Sequence, residues 1–152
     1  MTQFKKELLL RDIGCRLSCG CEVECKISYT INNETTNYSD VQETTDDTIV
    51  DVNFRDFEIR TSWLGDWLEI EKVKPYLRPY SDMTTAEIEY ELYLLKRKDY
   101  DEYIKWLDSR FLDHRNLIEQ NLALPSLPGM YDYLEEPKDM TAEYEKRSRD
   151  SA

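Results

Sequence analysis

Apolar and polar residues alternate along the first half of the chain, as they do in strands with one buried face. The clearest alternation covers residues 21–31, where Cys, Val, Ile and Tyr occupy every second position and polar residues fill the gaps. A second alternation covers residues 48–54, and its phase shifts by one residue over 57–63. Such a shift predicts a bulge or tight turn at Arg55-Asp56. The pattern therefore predicts antiparallel strands, with a further short strand at 67–73.

Three other segments of this half are less regular. Residues 4–17 carry apolar positions at helical spacing, which predicts a short helix. The pair Asn32-Asn33 predicts a turn, because Asn tolerates positive φ. Residues 34–48 are rich in Thr, Asn, Asp, Glu and Ser, and they predict a weak edge strand or a mobile loop.

The apolar pattern changes at a proline joint, Lys74-Pro75-Tyr76-Leu77-Arg78-Pro79. Two prolines four residues apart favour a stiff connector. Beyond it, Thr84 and Glu87 have the spacing of a capping box, which predicts a helix starting at Thr84. Asp113 predicts the cap of a third, short helix that ends before Pro125. The apolar stripes predicted to be buried are Ile88, Leu92 and Leu95 in the first helix, Tyr100, Ile104, Leu107 and Phe111 in the second, and Leu117, Ile118 and Leu122 in the third.

These patterns together predict an α+β fold. We expect a small antiparallel, barrel-like sheet over residues 18–73, packed against two or three C-terminal helices over 84–123. A length of 152 residues suits one domain. We place that domain at 1–134 and a polar tail at 135–152.

The net charge of the chain disfavours two classes of partner. The formal net charge is −12, and such a chain is repelled by phosphate backbones and by anionic membrane surfaces. We therefore expect no direct nucleic-acid or membrane partner. The first residues lack the long apolar centre of a signal peptide, which predicts a cytoplasmic protein. An acidic surface also leaves open a mimic of nucleic acid that inhibits a DNA-binding host protein.

The four cysteines form a C-x3-C-x-C-x3-C cluster over residues 15–25, which raises the alternative of a metal-binding protein. The spacing speaks against it, because Cys21 and Cys25 lie four residues apart on the predicted strand. At roughly 3.3 Å per residue their Cα atoms are about 13 Å apart, too far for one zinc ion. We expect two buried thiols, no metal site and no cofactor. His114, the only histidine, is expected to be structural or exposed to solvent.

The sequence of the joint also resembles a segment found in other proteins. Lys74–Pro79 followed by Ser81-Asp82-Met83-Thr84 resembles a segment shared by a family of small uncharacterised proteins of Bacteroides-type gut bacteria and their phages. Residues 111–124, then Pro128-Gly129-Met130-Tyr131, resemble the same family, as do residues 10–17. The resemblance implies a phage or prophage origin and a cytoplasmic setting. It assigns no activity and no functional residue.

Aromatic residues concentrate around the joint and the first helices. Core packing between sheet and helices is one explanation for them. The other is a docking surface for a protein partner, because Tyr, Trp and Arg dominate interface hot spots. The interaction candidates are Tyr76, Arg78, Tyr80 and Trp106. With no catalytic motif in the sequence, we predict a non-enzymatic protein–protein interaction module, a phage or prophage accessory protein.

Overall fold

The computed structural model describes residues 1–33 and 37–137 of the chain. Helix α1 (Gln3–Cys15) is followed by strands β1 (Glu22–Asn33), β2 (Asn37–Asn53), β3 (Glu58–Thr61), β4 (Trp67–Glu69) and β5 (Val73–Leu77). Helices α2 (Thr85–Arg97) and α3 (Tyr100–Ser109) follow, and a two-residue strand β6 (Leu124–Pro125) comes last. Short 3-10 turns lie at Leu17–Cys19, Ile70–Lys72 and Tyr80–Asp82.

The predicted α+β class is confirmed, but the barrel-like closure is wrong. The six strands form one open sheet in the order β4-β3-β2-β1-β5-β6. Every neighbouring pair is antiparallel except β5 with β6. The sheet stays open because its two outer strands, of three and two residues, offer too few backbone groups to close a barrel.

Strands β1 and β2 form a long hairpin that extends past the rest of the sheet. β1 pairs with β5 only over Val23–Cys25, and β2 pairs with β3 only from Ile49 onward. The turn predicted at Asn32-Asn33 is wrong, because both residues belong to β1. Of the two alternatives for residues 34–48, a strand or a loop, the described residues 37–48 form a strand, as part of β2. Both segments form strand because a complete antiparallel register of backbone hydrogen bonds outweighs their polar composition. Residues 34–36 of that segment lie outside the described residues.

The core forms where α1 and the segment after α3 cover the sheet. Cys21, Val23 and Cys25 point inward from β1, as their alternation predicted. They pack in one cluster with Leu9, Leu10 and Ile13 of α1 and with Phe111, Leu117, Leu122 and Tyr131 from the C-terminal segment. In the described part of the chain, no helix is long and apolar enough to cross a membrane.

The predicted third helix is wrong. Residues 113–122 form successive turns, in which Asn116 and Asn121 take φ near 60°. The Asp113 carboxylate still accepts the backbone N–H groups of Leu117 and Ile118, at 2.7 and 3.0 Å. A left-handed residue every few positions prevents the helix from propagating, so the cap stabilises only a turn. The predicted tail falls largely on residues 138–152, which lie outside the described residues.

Candidate functional site

The first interaction candidate, Tyr76, lies inside the protein. It belongs to β5 and is buried, and its hydroxyl donates to Asp46 at 2.8 Å. Its backbone carbonyl accepts the hydroxyl of Tyr131 at 2.7 Å. Burial, together with the Asp46 carboxylate, raises the pKa of Tyr76. Only 5% of Tyr76 is exposed, so it offers a partner protein little contact area and supports the structure around the joint.

The second candidate, Arg78, fixes α2 to the end of β5. Its guanidinium donates to both carboxylate oxygens of Glu87, at 2.7 and 2.6 Å, and to the carbonyl of Asp82 at 3.0 Å. Glu87 is fully buried and also accepts Nε of Arg110 at 2.8 Å. One carboxylate therefore holds two arginines, one from the joint and one from the end of α3.

Glu87 also closes the predicted capping box. Its backbone N–H donates to Thr84 Oγ1 at 3.2 Å, and its Oε1 accepts the N–H of Thr84 at 3.0 Å. Although burial alone would raise the pKa of this carboxyl, the bonds from Arg78, Thr84 and Arg110 lower it to about 2. The helix start that the sequence predicted is thus confirmed, and it is tied to the rest of the fold by charge.

A groove of about 440 Å³ opens beside this cluster. Arg78, Glu87 and Arg110 contribute to its wall, and the segment 126–136 forms the other side. The carbonyl of Glu135 accepts Arg110 Nη1 at 2.7 Å, and Glu136 accepts the Thr84 hydroxyl at 2.8 Å. Both arginines that line the groove are therefore engaged within the protein.

The other two candidates, Tyr80 and Trp106, lie on the α2–α3 hairpin side of the joint. Tyr80 is 44% exposed, and its hydroxyl is close to Glu91 and to Tyr103, whose own hydroxyl donates to Glu91 at 3.0 Å. Trp106 is half-buried and packs on Tyr90, with ring centroids 5.3 Å apart. Tyr80 and Trp106 can thus be reached from solvent outside the groove that Arg78 lines, and the role of these residues in binding stays a prediction.

The structure exposes three residues that the sequence placed in the core. Ile88, Leu92 and Leu95 of α2 are 47%, 51% and 37% exposed, while Leu94 and Glu87 face inward. The predicted buried stripe of α2 is therefore wrong. The helix turns a different face to the core than predicted, because the buried Glu87 pairs with Arg78 and Arg110. This pairing leaves the three aliphatic residues on the solvent side. We call Ile88, Leu92 and Leu95 the α2 stripe.

Two of the four residues predicted to be buried in the second helix are buried. Leu107 and Phe111 are buried, whereas Tyr100 is 62% and Ile104 is 38% exposed. The hairpin therefore presents apolar side chains from both of its helices. The sequence did contain a signal for the inner face of α2, because Glu87, Tyr90 and Leu94 have a helical spacing as good as that of the α2 stripe. Choosing that face required knowing that Glu87 is paired.

The cysteines lie in two different settings. Cys21 and Cys25 are buried, and burial raises the pKa of each thiol to about 12. Cys15 is exposed at the end of α1, and Cys19 is half-buried in the next turn. Among residues 1–33 and 37–137, no three His, Cys, Asp or Glu side chains are grouped so as to hold a metal ion.

His114 belongs to a buried charge cluster beneath α3. Its Nε2 lies 2.7 Å from Asp108 Oδ1, and Arg115 Nη1 lies 2.7 Å from the same oxygen. Although burial alone would raise the pKa of Asp108, its bonds with His114 and Arg115 and the charge of Arg16 lower it to about 2. The cluster joins α3 to α1, so His114 has a structural partner.

Comparison of the chain with protein-family models, with curated proteins and with solved structures finds no match.

Proposed function

We propose that this chain is a non-enzymatic protein–protein interaction module that docks through the α2 stripe. The observation that carries the proposal is the exposure of Ile88, Leu92 and Leu95 on a helix whose opposite side is anchored in the protein. These residues stand at i, i+4 and i+7, so they lie along one side of the helix. That spacing is the one by which a helix inserts apolar anchors into a groove of another protein.

The helix that carries the stripe is already ordered before any partner arrives. Its N-terminus is capped by Thr84, and Glu87 holds it to Arg78 and Arg110. A rigid anchor loses less conformational entropy on binding than a flexible one, so more of the contact energy appears as affinity. Arg78 thus supports docking by positioning α2 rather than by touching the partner.

The surroundings of the stripe indicate the chemistry of the partner. Glu89 and Glu91 lie on the same helix beside Ile88 and Leu92, its last turn carries Lys96 and Arg97, and the whole chain carries a net charge of −12. A groove with an apolar floor and a basic rim complements such a surface, because opposite potentials favour encounter and correct register. A second copy of this chain is a poorer partner, since two such acidic surfaces repel one another. Tyr80 and Trp106 lie near the edges of this contact in the proposal.

The biological setting is part of the same proposal. The resemblance of the joint, the C-terminal segment and residues 10–17 to a family from Bacteroides-type bacteria and their phages supports a phage or prophage accessory protein acting in the cytoplasm. It supports no more specific partner.

The test compares a stripe variant with a matched control on the same helix. The stripe variant is Ile88→Ala with Leu92→Ala and Leu95→Ala, and the control is Thr85→Ala with Glu89→Ala, at two exposed polar positions of α2. Both keep the helix, because alanine is a strong helix former. Equal circular dichroism and equal unfolding midpoints establish that both variants are folded.

The measurement is capture of partners from host lysate at low and at high salt. We expect a partner whose binding persists at high salt and is unchanged in the control. The same partner should bind the stripe variant at least about tenfold more weakly, the loss expected when a hot spot is removed. A partner lost at high salt but unaffected by the stripe variant would contradict the proposal. A DNA-binding protein with that behaviour would favour the acidic mimic, because screened charge would then carry the binding.

A further inference from the structure

Trp63 is the most exposed large apolar side chain in the described part of the chain. It lies in the turn between β3 and β4 and is 79% exposed to solvent. Trp67, at the start of β4, is 40% exposed on the same hairpin. An indole that gains nothing from burial in its own fold leaves a large apolar area available for a partner.

A buried carboxylate holds this turn rigid. Asp47 of β2 is buried, and its oxygens accept the Ser62 hydroxyl at 2.9 Å and the backbone N–H groups of Trp63 and Leu64, each at 3.1 Å. Although burial alone would raise the pKa of Asp47, hydrogen bonds from the backbone of Thr48, the hydroxyl of Ser62 and the backbone of Leu64 lower it. Three consecutive residues are thus fixed to one acceptor, and the Trp63 side chain points outward from a fixed backbone.

The charges around the turn are unbalanced. Residues 56–69 contain four acidic residues and one arginine, Arg60. Arg60 pairs with Asp51 at 3.4 Å and lies 5.4 Å from the centre of the Trp67 ring. Glu58 and Glu69 are direct partners in the register of β3 and β4, at the end of the hairpin away from the turn. Like charges opposite one another destabilise a strand pair, so a cation brought to this end of the hairpin relieves a repulsion that the free protein carries.

We propose that the β3–β4 hairpin is a docking surface, separate from the α2 stripe, in which Trp63 inserts into an apolar pocket of a partner protein with a Lys- or Arg-bearing rim. The fixed turn gives the indole a single direction of approach, which lowers the ordering cost of binding. The carboxylates Glu58, Asp66 and Glu69 contact the basic rim. The same carboxylates disfavour a nucleic-acid strand and an anionic membrane, both of which repel negative charge.

Trp63 can report on its own binding. The chain has three tryptophans, so Trp67→Phe with Trp106→Phe leaves Trp63 as the single indole. The probe is a synthetic helical peptide with leucines on one face and lysines on the other. The comparison probes are the same peptide with glutamates in place of lysines, phosphatidylcholine vesicles, and a thymidine oligonucleotide. We expect a saturable blue shift of Trp63 emission with the lysine peptide alone.

Affinity is then measured by anisotropy of the labelled lysine peptide in chains that carry the α2 stripe substitutions, so that the stripe does not bind the same peptide. Trp63→Ala is expected to weaken binding at least about tenfold, the loss expected of a hot-spot residue. Phe4→Ala, which removes a 71%-exposed aromatic from α1, is the matched control and is expected to change nothing. Ser62→Ala removes one bond to Asp47 and is expected to weaken binding while Trp63 stays exposed.

Three results overturn the proposal. They are equal affinity of the chains with and without Trp63→Ala, no saturable shift with the lysine peptide, and a shift with vesicles or oligonucleotide as large as with the peptide. The α2 stripe variant is expected to leave the Trp63 response unchanged, so failure of one docking surface does not imply failure of the other.

Discussion

Replacing Arg16 with methionine tests whether buried charge holds the two halves of the fold together. Arg16 is fully buried at the end of α1. Its guanidinium donates twice to Asp12, at 3.0 Å each, and to the backbone carbonyls of Asp108 and Leu112 at 3.2 and 2.8 Å. It therefore connects the N-terminal helix to the last turn of α3 and to the chain just after it, more than 90 residues later.

The magnitude follows from what methionine leaves behind. Methionine fills most of the volume but offers no donor. The carbonyls of Asp108 and Leu112 then each lose one of two partners and keep the backbone N–H groups of Phe111 and His114. Asp12 keeps one bond, from Arg115 at 2.6 Å. Removing one partner of a buried ion pair costs about 3–5 kcal/mol of unfolding free energy. For a chain of this size that corresponds to a drop of roughly 6–20 °C in the unfolding midpoint.

The assay is urea unfolding followed by circular dichroism, with thermal unfolding as a second measurement. Arg60→Met is the matched control, because it makes the same substitution in an exposed pair whose side chains are 42% and 43% accessible. We expect that control to cost about 0–1 kcal/mol. If Arg16→Met cost no more than Arg60→Met, the argument that this cluster joins the two halves of the fold would be refuted.

Two further predictions concern protonation and thiol reactivity. The pKa values of Glu87 and Asp108 are lowered to about 2 from the usual 4.5 and 3.8, so their ionised forms stabilise the folded state fully above about pH 4.5, and that stability is lost as pH falls toward 2. Urea midpoints measured from pH 6 to 2.5 should fall less steeply for Glu87→Gln than for the unaltered chain; parallel slopes would contradict this. With a thiol reagent at neutral pH, exposed Cys15 should react at once, and buried Cys21 and Cys25 should react only on unfolding. Mass spectrometry of the labelled peptides distinguishes these sites. Fast labelling of Cys21 in the folded protein would contradict its burial.

The strands and helix starts were predictable because their signals are local. Alternation at Cys21, Val23 and Cys25 placed one face of β1 in the core, and the Thr84–Glu87 spacing placed the start of α2. Both depend on residues a few positions apart, which backbone geometry alone brings together. Open rather than closed topology was not predictable, because it depends on the lengths of strands at opposite edges of the sheet.

In the candidate site, too, local features were predictable and contacts between distant parts of the chain were not. The sequence correctly marked the joint as the place where sheet and helices meet, and it singled out Arg78 as important there. It could not show that Arg78 is used within the protein, because its partners Glu87 and Arg110 come together only in the fold. Trp63 was seen only as a strand residue, since the bonds that fix its turn come from Asp47, 16 and 17 residues away.

The sequence by itself determined the secondary structure around the joint, the acidic character of the chain and the burial of the β1 thiols. The tertiary structure alone decided which face of α2 is buried. Two faces of that helix have comparable apolar spacing, and the choice between them depends on a carboxylate that is costly to bury unless it is paired. Because Glu87 meets two arginines from distant parts of the chain, it turns inward, and Ile88, Leu92 and Leu95 remain on the surface.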